Sequence, residues 1–283
     1  MSRKVINEAH TPRSAEVSAR RIAARAATAV TGAVLLAYHL PILASLPAPS
    51  WLRRTFGVRD RLSGSVGMAL TFDDGPDPHG TPAVLEALES LGVVATFFLV
   101  GERVERYPSV AREIVAAGHG IGAHGYRHLP QPLLAPWAIE EDLERGLSVV
   151  GEVTGLLPCH FRPPYGIVSL PGLAWVRRHG GSTWLWTTDG RDWERNATPA
   201  SIAGKILRRA VAGGVILLHD GDEYGTCGSW ENVVATLPVI VQGLQARGLH
   251  IRPLSDNRCY ACSVSCDSRR MPVTTGGIEV ARD

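Results

Sequence analysis

Between residues 63 and 254, short apolar runs alternate with longer stretches that are apolar on one face only. Runs of this length bounded by turn residues read as strands, at 68–72, 95–100, 120–123, 160–162, 183–186, 215–218 and 250–252. Helical periodicity falls between them, near 81–91, 108–117, 137–153, 169–179, 198–212 and 231–247. Thr81 followed by Pro82 reads as an N-cap with proline in the first turn. Gly92, Gly118, Gly180 and Gly248 each follow a helical pattern, where a left-handed C-terminal cap is expected. Strands separated by helices make parallel βα units, so the fold class is α/β, either a barrel or a doubly wound sheet. In both, functional side chains gather at the C-terminal ends of the strands. No internal repeat interrupts this plan.

The pattern changes on both flanks. Residues 1–25 are polar and basic, ending in Arg20, Arg21 and Arg25, whereas 26–50 hold no Asp, Glu, Lys or Arg. A basic flank before an apolar run long enough to span a bilayer reads as a signal anchor or signal peptide. That places the chain in a membrane or outside the cytoplasm. Arg53, Arg54, Arg59 and Arg61 follow closely, so the charge bias across the run is small. The alternative is a helix packed on the folded body of a cytoplasmic protein. From Asp256 the chain turns polar and aperiodic around Cys259-x-x-Cys262-x-x-x-Cys266. A structural zinc site needs a fourth ligand, which is not evident, so residues 255–283 read as a disordered tail.

Composition narrows the function classes. With 45% hydrophobic and 20% charged residues the chain can bury an ordinary core, and a net charge of +2 gives no footprint for nucleic acid. Three of the five cysteines lie in the tail, so no disulfide framework is implied. Oligomeric state is not written in the pattern.

Chemistry concentrates after the strands. Asp73 and Asp74 follow the first, within Thr71-Phe72-Asp73-Asp74-Gly75-Pro76. Two adjacent carboxylates resist ionising together, and water or a cation must relieve the repulsion. One could bind metal while the other takes a proton; the plainer alternative is an acidic turn capping the next helix. His124 and His128 follow the third strand, four apart, close enough to share a cation with Asp74. Two histidines and a carboxylate suit catalytic zinc, and also iron or another divalent ion. Bound water then falls in pKa from about 15.7 to about 7. Asp73 is placed as a base, and His219, after the sixth strand, titrates where a general acid should. Arg162 can hold Asp73 ionised through a two-pronged contact, and Asp192 can keep His219 protonated. These parts describe metal-assisted hydrolysis of an acyl group.

Five ordered segments, Thr71–Pro76, His124–His128, Arg162–Tyr165, Asp189–Trp193 and Leu217-x-His219, resemble the motifs of the polysaccharide deacetylase family. This is the NodB-homology domain, or carbohydrate esterase family four, and the likeness spans about 66–254. The resemblance implies a distorted (β/α) barrel of about seven parallel strands, here preceded by an N-terminal apolar helix. It implies one divalent metal, most often Zn2+, and removal of acetyl from the N-acetylated sugars of an oligo- or polysaccharide, chitin-oligomer or peptidoglycan-like. By resemblance Asp73 is the base, Asp74, His124 and His128 are the metal ligands, and His219 is the acid. Arg162 and Asp192 tune them, the Tyr165 N–H faces the oxyanion, and Trp193 and Leu217 line the acetyl pocket. The second motif commonly has Ser or Thr after its first histidine, where this chain has Gly125. A hydroxyl there would brace the loop, so its loss bears on loop order and metal affinity rather than on the ligand set. Two other readings stand beside an N-deacetylase. One is an O-acetyl esterase of the xylan type, needing the same groups. The other is a non-catalytic carbohydrate-binding protein, free to lose groups that this chain retains.

Overall fold

The computed structural model describes residues 40–45, 49–64 and 66–254, with scattered positions between 20 and 32. The cysteine tail, and most of the apolar run before residue 40, lie outside the described residues. Within them nine strands form one sheet: β1 (Val58–Arg59), β2 (Met68–Asp73), β3 (Thr96–Leu99), β4 (Gly120–Ala123), β5 (His160–Phe161), β6 (Ser182–Trp184), β7 (Thr188–Asp189), β8 (Val215–His219) and β9 (Ile251–Arg252). The order is β1-β6-β5-β4-β3-β2-β8-β7, with β9 also on β2, and every ladder between strands is parallel. The sheet curls until β6 and β7 nearly meet. Residues 185–187 join them, Leu185 donating to the Arg59 carbonyl of β1 and Thr187 to that of Val215 on β8. This is the expected distorted barrel. β1 and β7 are additions to the expected seven strands, each two residues at an edge of the sheet.

Strand alternation sorts the side chains. On β2, Leu70 and Phe72 point outward with Phe97, Leu99, Ile216 and Leu218 from β3 and β8. They pack beneath α2 (Gly80–Leu91), α7 (Pro199–Arg208) and α8 (Ser229–Gln245), to which Val84, Leu88, Ile202, Ile206, Val233 and Leu237 belong. Each such side chain contributes about 1.5–3 kcal/mol by leaving water. The other parity points inward: Ala69, Phe98, Val215 and Trp184 fill the barrel. Asp73 shares that inward parity at the end of β2 and pairs in register with His219 at the end of β8. The sheet thus delivers a carboxylate and an imidazole to one mouth.

The remaining helices are α1 (Ser50–Thr55), α3 (Gly101–Arg106), α4 (Pro108–Ala116), α5 (Pro136–Thr154) and α6 (Leu170–Arg178). Gly92, Gly118, Gly180 and Gly248 all adopt positive φ after their helices, as expected. The Thr81 expectation is corrected. α2 starts at Gly80, and Asp77 Oδ1 accepts the N–H groups of His79 and Gly80 at 2.9 and 2.8 Å. Thr81 instead accepts the Asp77 N–H at 2.7 Å and donates to Asp220.

The end of the apolar run is part of the barrel. Leu40–Ser45 forms a 3-10 turn, and α1 begins separately after Pro49, so this part is not one continuous helix. Ala44 is buried with Val58, Val168 and Leu185, and Ser45 accepts the Val168 N–H at 2.8 Å. Arg53 ties the seam, donating to Asp60 at 3.0 Å, to the Trp186 carbonyl at 2.7 Å and to the Ala44 carbonyl at 3.2 Å. Among the described residues, no helix is long and apolar enough to cross a membrane. A truncation test follows. Removing 1–60 uncovers Val168 and Leu185 and should cost about 3–6 kcal/mol, or roughly 10 °C in melting temperature. Removing 1–39 keeps the turn and should melt within a few degrees of the full chain. Equal melting of the two truncations would contradict a structural role for the turn.

Candidate active site

β2 ends at Asp73, and the next residue, Asp74, turns the chain at φ 76°. Left-handed backbone is rare outside glycine, and aspartate is among the residues that tolerate it. Gly75 then leaves room for the Asp220 carboxylate, whose Oδ2 would lie 2.4 Å from a Cβ there. Asp73 and Asp74 consequently face one cavity with different neighbours.

Asp74 faces imidazoles. Its Oδ1 lies 3.3 Å from His124 Nε2 and 3.2 Å from His128 Nε2. Both histidines come from the irregular loop after β4; of the two arrangements their spacing allows, a turn of helix or a tight loop, the chain adopts the loop. His124 Nδ1 sits 2.7 Å from the Arg162 carbonyl, and a carbonyl only accepts, so Nδ1 carries the proton. That leaves Nε2 as the nitrogen facing the Asp74 carboxylate. Asp74 Oδ1 and His128 Nδ1 are buried without hydrogen-bond partners among the described residues. Ligand atoms of the three residues lie within 4.8 Å of one another, all buried. Two imidazole nitrogens and a carboxylate converging in a buried site fit a divalent cation, and the donor set is one that zinc accepts. Burial works against the charged form of Asp74, yet the two histidines and nearby His219 hold its carboxyl well below the usual range.

Asp73 faces arginine. Arg162 Nη1 donates to Asp73 Oδ1 at 2.6 Å and to Thr71 Oγ1 at 2.9 Å, with its guanidinium 4.1 Å from the Phe98 ring centroid. The expected two-pronged contact is therefore single. Thr71, two residues back on the same strand face, shares the nitrogen, and Asp73 Oδ2 stays open toward His124 at 3.9 Å. Arg162 is completely buried, and its side chain and carbonyl together tie Asp73 to His124.

His219 Nδ1 is 3.0 Å from Asp192 Oδ2, which also accepts the His219 backbone N–H at 2.9 Å. Nε2 lies 3.8 Å from Asp74 Oδ2, on the cavity side. Burial opposes the imidazolium, but Asp192, with Asp74 and Asp73 beyond it, outweighs burial and the His219 pKa is pushed up to about 10. The cavity, about 360 Å³, is lined by Asp73, Asp74, His124, His128 and His219 and walled by Tyr165, Trp186, Trp193, Leu217 and Tyr224. All ten residues expected at the site fall within it or in direct contact with its walls. A cavity of about 940 Å³ at the other end of the barrel, near Arg59 and Arg252, lacks this convergence of carboxylates and imidazoles.

Two wall residues had no sequence signal. Tyr224 stacks on His128 at 4.1 Å between ring centroids, with its hydroxyl on Glu102 at 3.2 Å. Trp186 donates to Asp189 at 3.0 Å. Tyr165 flanks the other side of His128 at 4.4 Å and adopts φ 58°.

Residues 64–182 match the polysaccharide deacetylase family. A chitooligosaccharide deacetylase from Bradyrhizobium sp. (strain ANU 289) is 34% identical over 210 residues, covering 72% of this chain and 94% of that protein. The chain belongs to the polysaccharide deacetylase family. Another deacetylase of the family, the peptidoglycan-N-acetylglucosamine deacetylase of Bacillus cereus, is 34% identical over 191 residues, 67% of this chain and 86% of that one. Among solved structures, the Bc1960 peptidoglycan N-acetylglucosamine deacetylase in complex with 4-naphthalen-1-yl-N-oxidanyl-benzamide aligns with a TM-score of 0.67 at 29% identity. That alignment covers 73% of this chain and 95% of the other. The deacetylase match begins at residue 64, after the seam-closing turn and α1.

Proposed function

We propose that this family member hydrolyses the acetamide of N-acetylated sugars in a chitin-oligomer or peptidoglycan-like glycan, with one divalent ion, Zn2+ for preference. One observation carries the reading: two imidazole nitrogens converge on Asp74 while Asp73, one residue away, is bound by arginine in the same cavity. Asp74, His124 and His128 would hold the metal. When bound, it supplies a Lewis acid and lowers the pKa of water at the site. Asp73 Oδ2, left open by the single arginine contact, removes the proton from the attacking water. As the new C–O bond forms, the Tyr165 N–H stabilises charge on the former carbonyl oxygen. Trp193 and Leu217 enclose the methyl group. The C–N bond then breaks while His219 Nε2 delivers a proton to the departing amine, and acetate remains.

An acid held by Asp192 gives a pH prediction. His219 must be protonated to act, so activity falls as pH rises through its pKa. Asp192→Asn removes the opposing charge while burial remains, so the alkaline limb of kcat/KM should move to lower pH. A cation beside Asp74 shifts both profiles the same way. An unmoved limb would remove His219–Asp192 from the acid role.

Acetate release from an N-acetylated chitooligosaccharide and from an O-acetylated xylooligosaccharide tests the function. Turnover of the amide supports the proposal, turnover of the ester alone makes the chain an esterase, and binding without turnover makes it a carbohydrate-binding protein. We also propose that the chain sits at a membrane or outside the cytoplasm, because the uncharged run 26–50 follows a basic segment. Recovery of intact protein wholly in the cytosol would refute that placement.

A further inference from the structure

The loop carrying both histidines has no hydroxyl at position 125, yet it is held on every side. Gly125 sits at φ 83°, and a Cβ there would come within 2.8 Å of Asp142 Oδ2. Asp142 lies on α5 and is buried. Its Oδ2 accepts the Tyr126 N–H at 3.0 Å, and its Oδ1 accepts the Arg127 N–H at 3.1 Å and faces Arg127 Nε at 3.4 Å. On the same helix, Gly146 has no side chain, and a Cβ would meet the Gly125 carbonyl carbon at 2.6 Å. From α3, the Gly101 and Glu102 N–H groups donate to the carbonyls of Gly125 and Tyr126 at 3.0 and 2.9 Å. Two helices thus clamp one three-residue turn between His124 and His128, with the Asp142 carboxylate accepting the N–H groups of Tyr126 and Arg127.

We propose that Asp142 is the positioning residue that sets metal affinity, holding the turn between His124 and His128 so that both Nε2 atoms face Asp74. The inference rests on the metal reading above but concerns a residue that touches neither metal nor substrate. A carboxylate suits the place because two convergent N–H groups need an acceptor at each oxygen and no donor. Asparagine keeps the volume and one acceptor but presents an NH2 to the other N–H. A serine at position 125 cannot take over, since its Cβ competes with Asp142 for the same space and its backbone is strained at that φ.

Metal binding by the full chain should be measured by competition with a chromophoric chelator, alongside amide hydrogen exchange in the metal-free protein. Asp142→Asn should weaken metal affinity about 10–100-fold, the usual effect of losing a partner one step behind the ligands. Exchange at Tyr126 and Arg127 should quicken, and excess metal should restore most of the lost turnover. Gly125→Ser should also weaken binding, but in an Asp142→Ala background its added cost should shrink, because the competing carboxylate is gone. Wild-type affinity in Asp142→Asn, or unchanged protection at Tyr126 and Arg127, would overturn the proposal. If the wild type itself binds no divalent ion, the metal reading fails. The exchange rates then still decide whether Asp142 braces the turn.

Discussion

Chelation is expected to abolish deacetylation, and His128→Ala is expected to lose metal and activity together. The two histidines differ in what holds them. His124 is pinned through Nδ1 by the Arg162 carbonyl, whereas His128 is fixed by rings, Tyr224 at 4.1 Å and Tyr165 at 4.4 Å. Removing the His128 imidazole leaves two ligands where catalytic zinc takes three. The loss should exceed the roughly 10–100-fold that follows removal of a group behind a ligand. Elemental analysis of purified protein should find close to one ion per chain, falling toward zero in His128→Ala. Tyr224→Ala should retain the ion but bind it more weakly, since only packing orients that ring. Full turnover by a demonstrably metal-free preparation would end the mechanism.

What was legible in the sequence was whatever depends on local pattern. β2, β3, β4 and β8 are continuous apolar runs because both faces are buried, and their ends place Asp73, His124 and His219 at one mouth. β1 and β7 were not legible, because each is a two-residue edge strand defined by its pairing with β6 or β8. Tertiary sharing was equally hidden. Thr71 halves the arginine contact to Asp73, Asp142 braces a loop from a helix that follows it, and Tyr224 reaches His128 from beyond β8. The last residues of the uncharged run, 40–45, read like the rest of it because hydropathy does not distinguish lipid from the flank of a barrel. Ala44 is buried against Val58, Val168 and Leu185, which only the fold brings together.

Asp73→Asn and Asp74→Asn should part company although the residues are adjacent. Asp73 lies 2.6 Å from Arg162, so its negative charge is already matched and its open oxygen is free to accept a proton. Asparagine there keeps the size but has no basic oxygen. Metal should still bind, while turnover should fall about 10²–10⁴-fold, the usual cost of a positioned general base. Arg162 would then be buried beside a neutral amide, so a lower melting temperature should accompany the loss. Among the described residues Asp74 has no arginine beside it, and two imidazoles converge on its Oδ1 at 3.2 and 3.3 Å. An amide there is a poor ligand, and metal content should drop with activity. Raising the metal concentration should partly rescue Asp74→Asn and leave Asp73→Asn inactive. Equal loss of metal in both variants, or rescue of Asp73→Asn by metal, would mean that the two carboxylates bind the ion jointly. The proton would then need another acceptor, and His219, held protonated by Asp192, is poorly suited to be one.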